Sequence, residues 1–100
     1  MATPVRPEIA EKLSAKQVQA ISRVLADPRR FQILRQIASQ ACSPCSELRE
    51  CFPITAPTMS HHLKELEGVG LVETSRRGKF VDMVFCRETW NAYLAELKKI

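Results

Sequence analysis

The sequence of 100 residues has few glycines, few aromatic residues and no long apolar run. Three Gly and 6% aromatic residues argue against an all-β sandwich, which needs many tight turns and bulky core side chains. No stretch approaches the roughly 20 apolar residues of a membrane span, and residues 1–12 lack the apolar core of a signal peptide. We therefore expect one cytoplasmic domain without a membrane partner.

The charge of the chain is only mildly informative. Its 15 Lys and Arg against 11 Asp and Glu give a net charge of +4 and a pI near 9.1. Such an excess indicates an anionic partner, but ribosomal proteins, membrane-surface binders and DNA binders all share it. Between residues 54 and 82, four basic residues are matched by four acidic ones. The placement of the charges therefore matters more than their sum.

Start signals predict four helices in the first two thirds of the chain. Ser14 is a good N-cap for a helix over residues 15–26, and Asp27-Pro28 begins a second helix that should end near Gln40. Ser43-Pro44 repeats that start signal before a short helix over 45–51. Thr55 caps a fourth helix over 55–67. Residues 1–13 are expected to form a flexible segment, and residues 14–100 the domain.

From residue 71 the pattern changes to that of a β-hairpin. Residues 71–75 and 79–85 are rich in β-branched and aromatic side chains, and Arg76-Arg77-Gly78 separates them. A last amphipathic helix follows over residues 88–100. The predicted fold is therefore mainly α with a small β-hairpin.

Two short helices joined by a tight connection and followed by a basic hairpin have the layout of a winged helix-turn-helix. The first turns of the second helix would offer short polar side chains to the major groove, and cations on the wing would meet phosphates. The candidate DNA-binding residues are Thr55, Ala56, Thr58, Ser60, His61, Lys64, Arg76, Arg77 and Lys79. The alternative is an ordinary surface helix and a solvated turn.

Two segments resemble the ArsR/SmtB family of bacterial winged-helix repressors. They are VLADPRRFQIL (24–34) and TAPTMSHHLKELEGVGLVETSRRGKFVDMVF (55–85), and the resemblance extends over about residues 18–97. It implies a homodimeric repressor that binds an inverted-repeat DNA operator. It also implies dimer contacts through the helices 15–26 and 88–100, around Val18, Ile21, Trp90, Tyr93 and Leu97, although an intrachain core explains these residues equally well. By the same resemblance His61 contacts DNA and His62 packs at the helix base.

The cysteines raise the question of an effector. Family members with a helical zinc site use Asp, His and Glu on the last helix, where this chain has Glu88 and Glu96 but neither His nor Asp. The arsenic-type site uses Cys-Val-Cys, and the comparable stretch here, ACSPCSELREC (41–51), lacks it. The resemblance therefore does not carry over a known metal site.

The spacing of the thiols still permits chemistry. Cys42-x-x-Cys45 is typical of metal ligands, and the helix dipole is expected to lower the pKa of Cys45. Cys51 should point about 120° away from Cys45 on an ideal helix, and Cys86 is a more distant candidate partner. These four thiols are either incidental or buried, ligands of arsenite or another thiophilic metal ion, or sensors of oxidation.

The alternative to DNA binding is a thiol-based redox or protein-interaction module with the same fold. A thioredoxin-like enzyme does not fit, because no βαβ unit surrounds the CSPC segment. We therefore predict that the protein is not an enzyme.

Overall fold

The computed structural model describes residues 12–40 and 43–100. Within these ranges it contains five helices and three strands. In chain order they are α1 (Ala15–Leu25), α2 (Pro28–Ala38), β1 (Ser43–Pro44), α3 (Cys45–Cys51), α4 (Ala56–Gly68), β2 (Val72–Arg77), β3 (Phe80–Phe85) and α5 (Arg87–Lys98). The predicted fold class, with four helices before a hairpin and one after it, is confirmed.

Three of the predicted helix starts carry the expected side-chain caps. Ser14 Oγ accepts the Gln17 N–H at 3.1 Å, and Gln17 Oε1 accepts the Ser14 N–H at 2.7 Å, which completes a capping box. At α2 the carboxylate of Asp27 accepts the Arg30 N–H at 3.0 Å, and at α4 Thr55 Oγ1 accepts the N–H of residue 58 at 3.3 Å. Local sequence therefore sets these three starts.

The start of α3 differs from the prediction. Ser43 does not cap the helix. Instead it lies in β1 opposite Met83, and Pro44, opposite Asp82, is the N-cap residue without a side-chain cap. The sheet is therefore three-stranded and antiparallel, in the order β1-β3-β2. Pairing with a strand forty residues away competes with the local capping preference here, and the predicted two-stranded hairpin acquires an extra edge strand.

The hairpin turn is one residue further along than predicted. Arg77 pairs with Phe80, so both predicted tip arginines belong to β2 and the turn consists of Gly78 and Lys79. Gly78 has a φ of 62° and Lys79 has no positive φ, which is the pattern of a type II′ turn with Gly at its first central position. The twist of this turn matches that of the flanking strands, which lets the strands continue up to it.

The core lies between the five helices and the sheet, and α3 contributes Leu48 to it. Ile33, Ile37, Leu66 and Leu71 are fully buried in it. Leu13 is also buried, at 3% exposed, so the packed domain includes a residue that the sequence placed in the flexible segment. The rest of that segment, residues 1–11, and Cys42 lie outside the described residues. No helix in the described ranges is long and apolar enough to cross a membrane.

Candidate nucleic-acid interface

Helix α4 has one buried face and one exposed polar face. Met59, His62, Leu63 and Leu66 are buried against α2 and β2. The residues predicted from the sequence to contact DNA all lie on the solvent side and are exposed: Thr55, Ala56, Thr58, Ser60, His61 and Lys64. The Thr55 hydroxyl is engaged in the cap, since it also donates to the Thr58 hydroxyl at 2.9 Å. The structure therefore brings these six residues together on one accessible surface.

The inner face of α4 is tied to α2 by a polar contact as well as by packing. His62 is 7% exposed, and its Nδ1 accepts a hydrogen bond from Arg30 Nε at 3.3 Å. Burial lowers the pKa of His62 from its ordinary value, nearby Asp27 acts in the opposite direction, and the positive charge of Arg30 lowers it further. The lowered pKa favours the neutral ring, which is the form whose Nδ1 can accept the hydrogen bond from Arg30.

The same arginine reaches a third element. Arg30 Nη1 donates to the backbone carbonyl of Val24 at 3.2 Å, in the last turn of α1, where the carbonyl groups have no partner within the helix. One guanidinium thus joins the end of α1, the start of α2 and the inner face of α4. Sequence analysis missed this role, because only the fold brings Arg30 to a residue 32 positions away.

The three predicted wing cations are exposed but not equivalent. Arg77 forms a two-point ion pair with Asp82, with Nε–Oδ2 at 2.8 Å and Nη2–Oδ1 at 3.2 Å, and its guanidinium lies over the Phe80 ring. Arg76 and Lys79 have no ion pair within residues 12–40 and 43–100. The charge of Arg77 is therefore largely satisfied inside the protein, and the other two cations are the better candidates for an external anion.

Asp82 is the residue on this surface that sequence analysis overlooked as a partner. Its side chain is only 4% exposed, and the hydrogen bonds from Arg77 hold the pKa of its carboxyl below the ordinary value. The two residues lie on a diagonal across the hairpin, since Asp82 pairs with Ser75 and Arg77 with Phe80. With a two-residue turn the register places Arg77 diagonally opposite Asp82. The three-residue tip predicted from the sequence gives a different register and did not indicate this pair.

Among the residues that the structure describes, Cys45, Cys51 and Cys86 do not form the reactive cluster that the sequence suggested. Burial raises the pKa of Cys45, and the nearby carboxylate of Asp82 raises it further, so the expected lowering by the helix dipole is wrong. Cys51 is exposed and Cys86 is buried. No group of three or more His, Cys, Asp or Glu side chains within the described ranges could hold a metal ion. The donors described therefore do not fit a three-thiolate site for arsenite.

The short helix α3, the helix α4 that follows it with an exposed polar face, and a basic β-hairpin after them define a winged helix-turn-helix domain. A family model described as a helix-turn-helix domain matches residues 25–75. The chain is 38% identical over 66 residues to the arsenical resistance operon repressor of Staphylococcus xylosus. That alignment covers 66% of the chain and only 62% of the repressor's length.

Solved structures agree with this match. A crystal structure of an ArsR family transcriptional regulator superposes with a TM-score of 0.76 at 27% identity, over 88% of this chain and 90% of the other. A homodimeric winged helix-turn-helix domain of Mycobacterium bovis, at 24% identity, has the same fold, with a TM-score of 0.70 over 84% of this chain and 79% of the other. The chain belongs to the helix-turn-helix family, and the resemblance to ArsR regulators that its sequence indicated is confirmed by these relatives. The named relatives are regulators and not enzymes.

Proposed function

We propose that the protein is a homodimeric transcriptional repressor that binds an inverted-repeat DNA operator. Helix α4 enters the major groove, and the wing around residues 75–80 contacts the backbone or the minor groove. The observation that carries the proposal is that the polar face of α4 and the wing cations Arg76 and Lys79 are all exposed. Short hydroxyl and imidazole groups suit base edges and phosphates, and mobile cations suit phosphates.

Dimerisation is part of the proposal, because a domain of this size covers one half-site. Leu94, Leu97 and Ile100 on and after α5 are large apolar residues exposed in the single chain. Ile21 and Tyr93 are instead buried within the chain, and the Tyr93 hydroxyl shares a 2.7 Å hydrogen bond with Ser22. The proposed interface therefore uses the outer face of α5 rather than the full set of expected residues. The M. bovis domain of the same fold is homodimeric, which supports a dimer here.

The effector remains outside this proposal. Relatives named as arsenical resistance operon repressors make arsenite the first ion to test, but the described thiols do not converge on a site. The raised pKa of Cys45 also gives no support to the alternative of a thiol redox module. We therefore assign no step of the regulation to a metal or metalloid ion.

The test is a fluorescence anisotropy titration of the full chain with fragments of its own upstream DNA. We expect Kd to rise steeply with salt concentration, since neutralised phosphates release counterions. Arg76→Ala and Lys79→Ala should each weaken binding to all fragments and reduce the salt slope by about one. Arg35→Ala, at an exposed position on α2 away from α4 and the wing, is the matched control with the same loss of charge.

Sequence preference tests the assignment of α4. Thr58→Ala and His61→Ala should change the ranking of mutated operator half-sites, each by about 1–3 kcal/mol at a contacted base pair. An unchanged ranking would remove α4 from the major groove. Absence of binding to every upstream fragment in reducing buffer would contradict the proposal as a whole.

A further inference from the structure

A cleft on the side of the molecule opens between α2, the end of β3 and the start of α5. Its volume is about 260 Å³, slightly below the range of about 300–1,000 Å³ typical of small-molecule sites. The lining residues are Phe31, Leu34, Arg35, Ala38, Phe85, Arg87 and Trp90. A cleft of this size suits a ligand with one ring rather than several. Neither α4 nor the wing contributes a side chain to it.

The walls of the cleft are aromatic. The rings of Phe85 and Trp90 lie 6.1 Å apart between centroids and are tilted by 55°. Phe31, on α2, keeps 39% of its surface exposed although it is a large apolar side chain. A flat apolar group placed here would bury exposed aromatic surface and make tilted ring contacts, which are favourable beyond the burial itself.

The polar groups of the cleft carry one sign of charge. Arg35 and Arg87 lie on different helices, both are exposed, and neither has an ion pair within the residues that the structure describes. The guanidinium of Arg87 stands 4.7 Å from the centroid of the Phe85 ring, which places the cation beside the aromatic wall. A planar guanidinium next to an apolar wall suits a carboxylate on a short apolar stem.

A second copy of the chain is a poor occupant of this cleft. In a two-fold dimer the same patch meets itself, so a cleft-to-cleft contact would bring Arg35 and Arg87 towards the partner's equivalents. Four cations without carboxylate partners would then face a low-dielectric interface. The charge pattern therefore favours a small anion.

We propose that this cleft binds a small aromatic carboxylate, with the ring between Phe31 and Trp90 and the carboxylate at Arg35 and Arg87. The site is separate from the DNA-binding face, so it stands whether or not the repressor function is correct. No cysteine lines this site for an organic acid.

Tryptophan fluorescence provides a site-specific test, because Trp90 is the single tryptophan of the chain. The full chain is titrated with phenylacetate at constant ionic strength, and its neutral isostere phenylacetamide is titrated in parallel. We expect saturable quenching or a spectral shift with phenylacetate at a Kd of roughly 0.1 to a few mM, as suits ten heavy atoms. Phenylacetamide should bind at least about tenfold more weakly.

Matched variants distinguish the contribution of the guanidinium charges to binding from that of the cleft's shape. Arg35→Gln and Arg87→Gln should each raise the Kd for phenylacetate about tenfold or more, whereas Arg29→Gln, on α2 but outside the cleft, should leave it unchanged. Ala38→Phe should fill the cleft and abolish the titration. Circular dichroism checks that each variant is folded. If one arginine variant does not fold, comparison of the other with Arg29→Gln still shows whether the charge contributes to binding of phenylacetate.

Three results would overturn the proposal. One is the absence of any Trp90 response up to about 20 mM phenylacetate, and another is equal affinity for the acid and the amide. The third is a Trp90 spectrum that changes with protein concentration and not with the acid, which would assign the cleft to a second copy. DNA binding is measured on the same samples, so a failure of the repressor proposal stays distinguishable.

Discussion

Replacing Arg30 by methionine tests whether this arginine joins three helices. The substitution keeps an apolar stem and the backbone N–H that Asp27 accepts, but it removes the guanidinium donors to His62 and to the Val24 carbonyl. Both lost hydrogen bonds come from a charged donor to a partly buried acceptor, and their lengths of 3.2–3.3 Å are at the long end of the range. We therefore assign about 0.5–1.5 kcal/mol to each and expect a total loss of about 1–3 kcal/mol.

The assay is equilibrium urea unfolding followed by circular dichroism, with thermal melting as a second measurement. In a domain of about 100 residues, each kcal/mol should lower Tm by roughly 4–8 °C. Arg29→Met is the control, because Arg29 is on the same turn but lies over the Phe52 ring and bonds only the side chain of Gln32. It should cost less than about 1 kcal/mol.

A double-mutant cycle isolates the contact between the two helices. Combining Arg30→Met with His62→Phe, which leaves no acceptor at the position of Nδ1, should show a coupling energy of about 0.5–1.5 kcal/mol, while the Val24 bond cancels in the cycle. A coupling energy of zero within error would show that the contact contributes nothing to stability. Equal losses for Arg29→Met and Arg30→Met would refute the reasoning as a whole.

Three further predictions concern titration, the wing and the core. Folding lowers the pKa of His62 below its ordinary 6.5, so the unfolded chain takes up a proton at this residue at higher pH than the folded chain does. The free energy of unfolding, measured by urea unfolding, should therefore fall as pH drops from about 7.5 towards 5. His62→Asn should flatten that dependence on pH. Asp82→Asn removes a charge that raises the pKa of Cys45, so alkylation of Cys45 by iodoacetamide at pH 8, followed by peptide mass spectrometry, should become faster; an unchanged rate would contradict that coupling. Leu66→Ala should cost about 2–5 kcal/mol in urea unfolding because the side chain is fully buried, whereas Glu65→Ala, at an exposed position on the same helix, should cost less than about 1 kcal/mol.

The elements that local chemistry determines were predictable from the sequence. Ser14, Asp27 and Thr55 are caps in the structure because a short polar side chain satisfies N–H groups two or three residues ahead, which needs no distant partner. The six candidate residues of α4 are exposed because the apolar stripe at Met59, Leu63 and Leu66 determines which side faces inward.

Features that depend on distant partners could not be derived in the same way. Ser43 has the residue type of a cap, but it lies in a strand because β3 offers a free edge at Met83 and Asp82. The dipole argument for Cys45 was sound locally, but burial and the Asp82 carboxylate outweigh it once the chain is folded. In both cases residues of β3, some forty positions along the chain, change the outcome that local sequence predicts.

The two wing arginines differ in a way that residue type alone could not predict. Composition identified Arg76 and Arg77 as equivalent cations, and both are exposed. Their difference comes from the register of the hairpin, which places the buried Asp82 within reach of Arg77 alone among the wing cations. A shift of one residue in the turn is enough to change which cation is available.

The short strand β1 has a geometric consequence for the proposed complex. It joins the start of α3 to β3, while the Thr74 hydroxyl on β2 donates to the Glu67 carboxylate at the end of α4, at 3.0 Å. The base of the wing is thus tied to both helices of the helix-turn-helix. If the proposed complex forms with this separation of helix and wing, an operator whose groove spacing departs from it would lose one of the two contacts whenever it keeps the other.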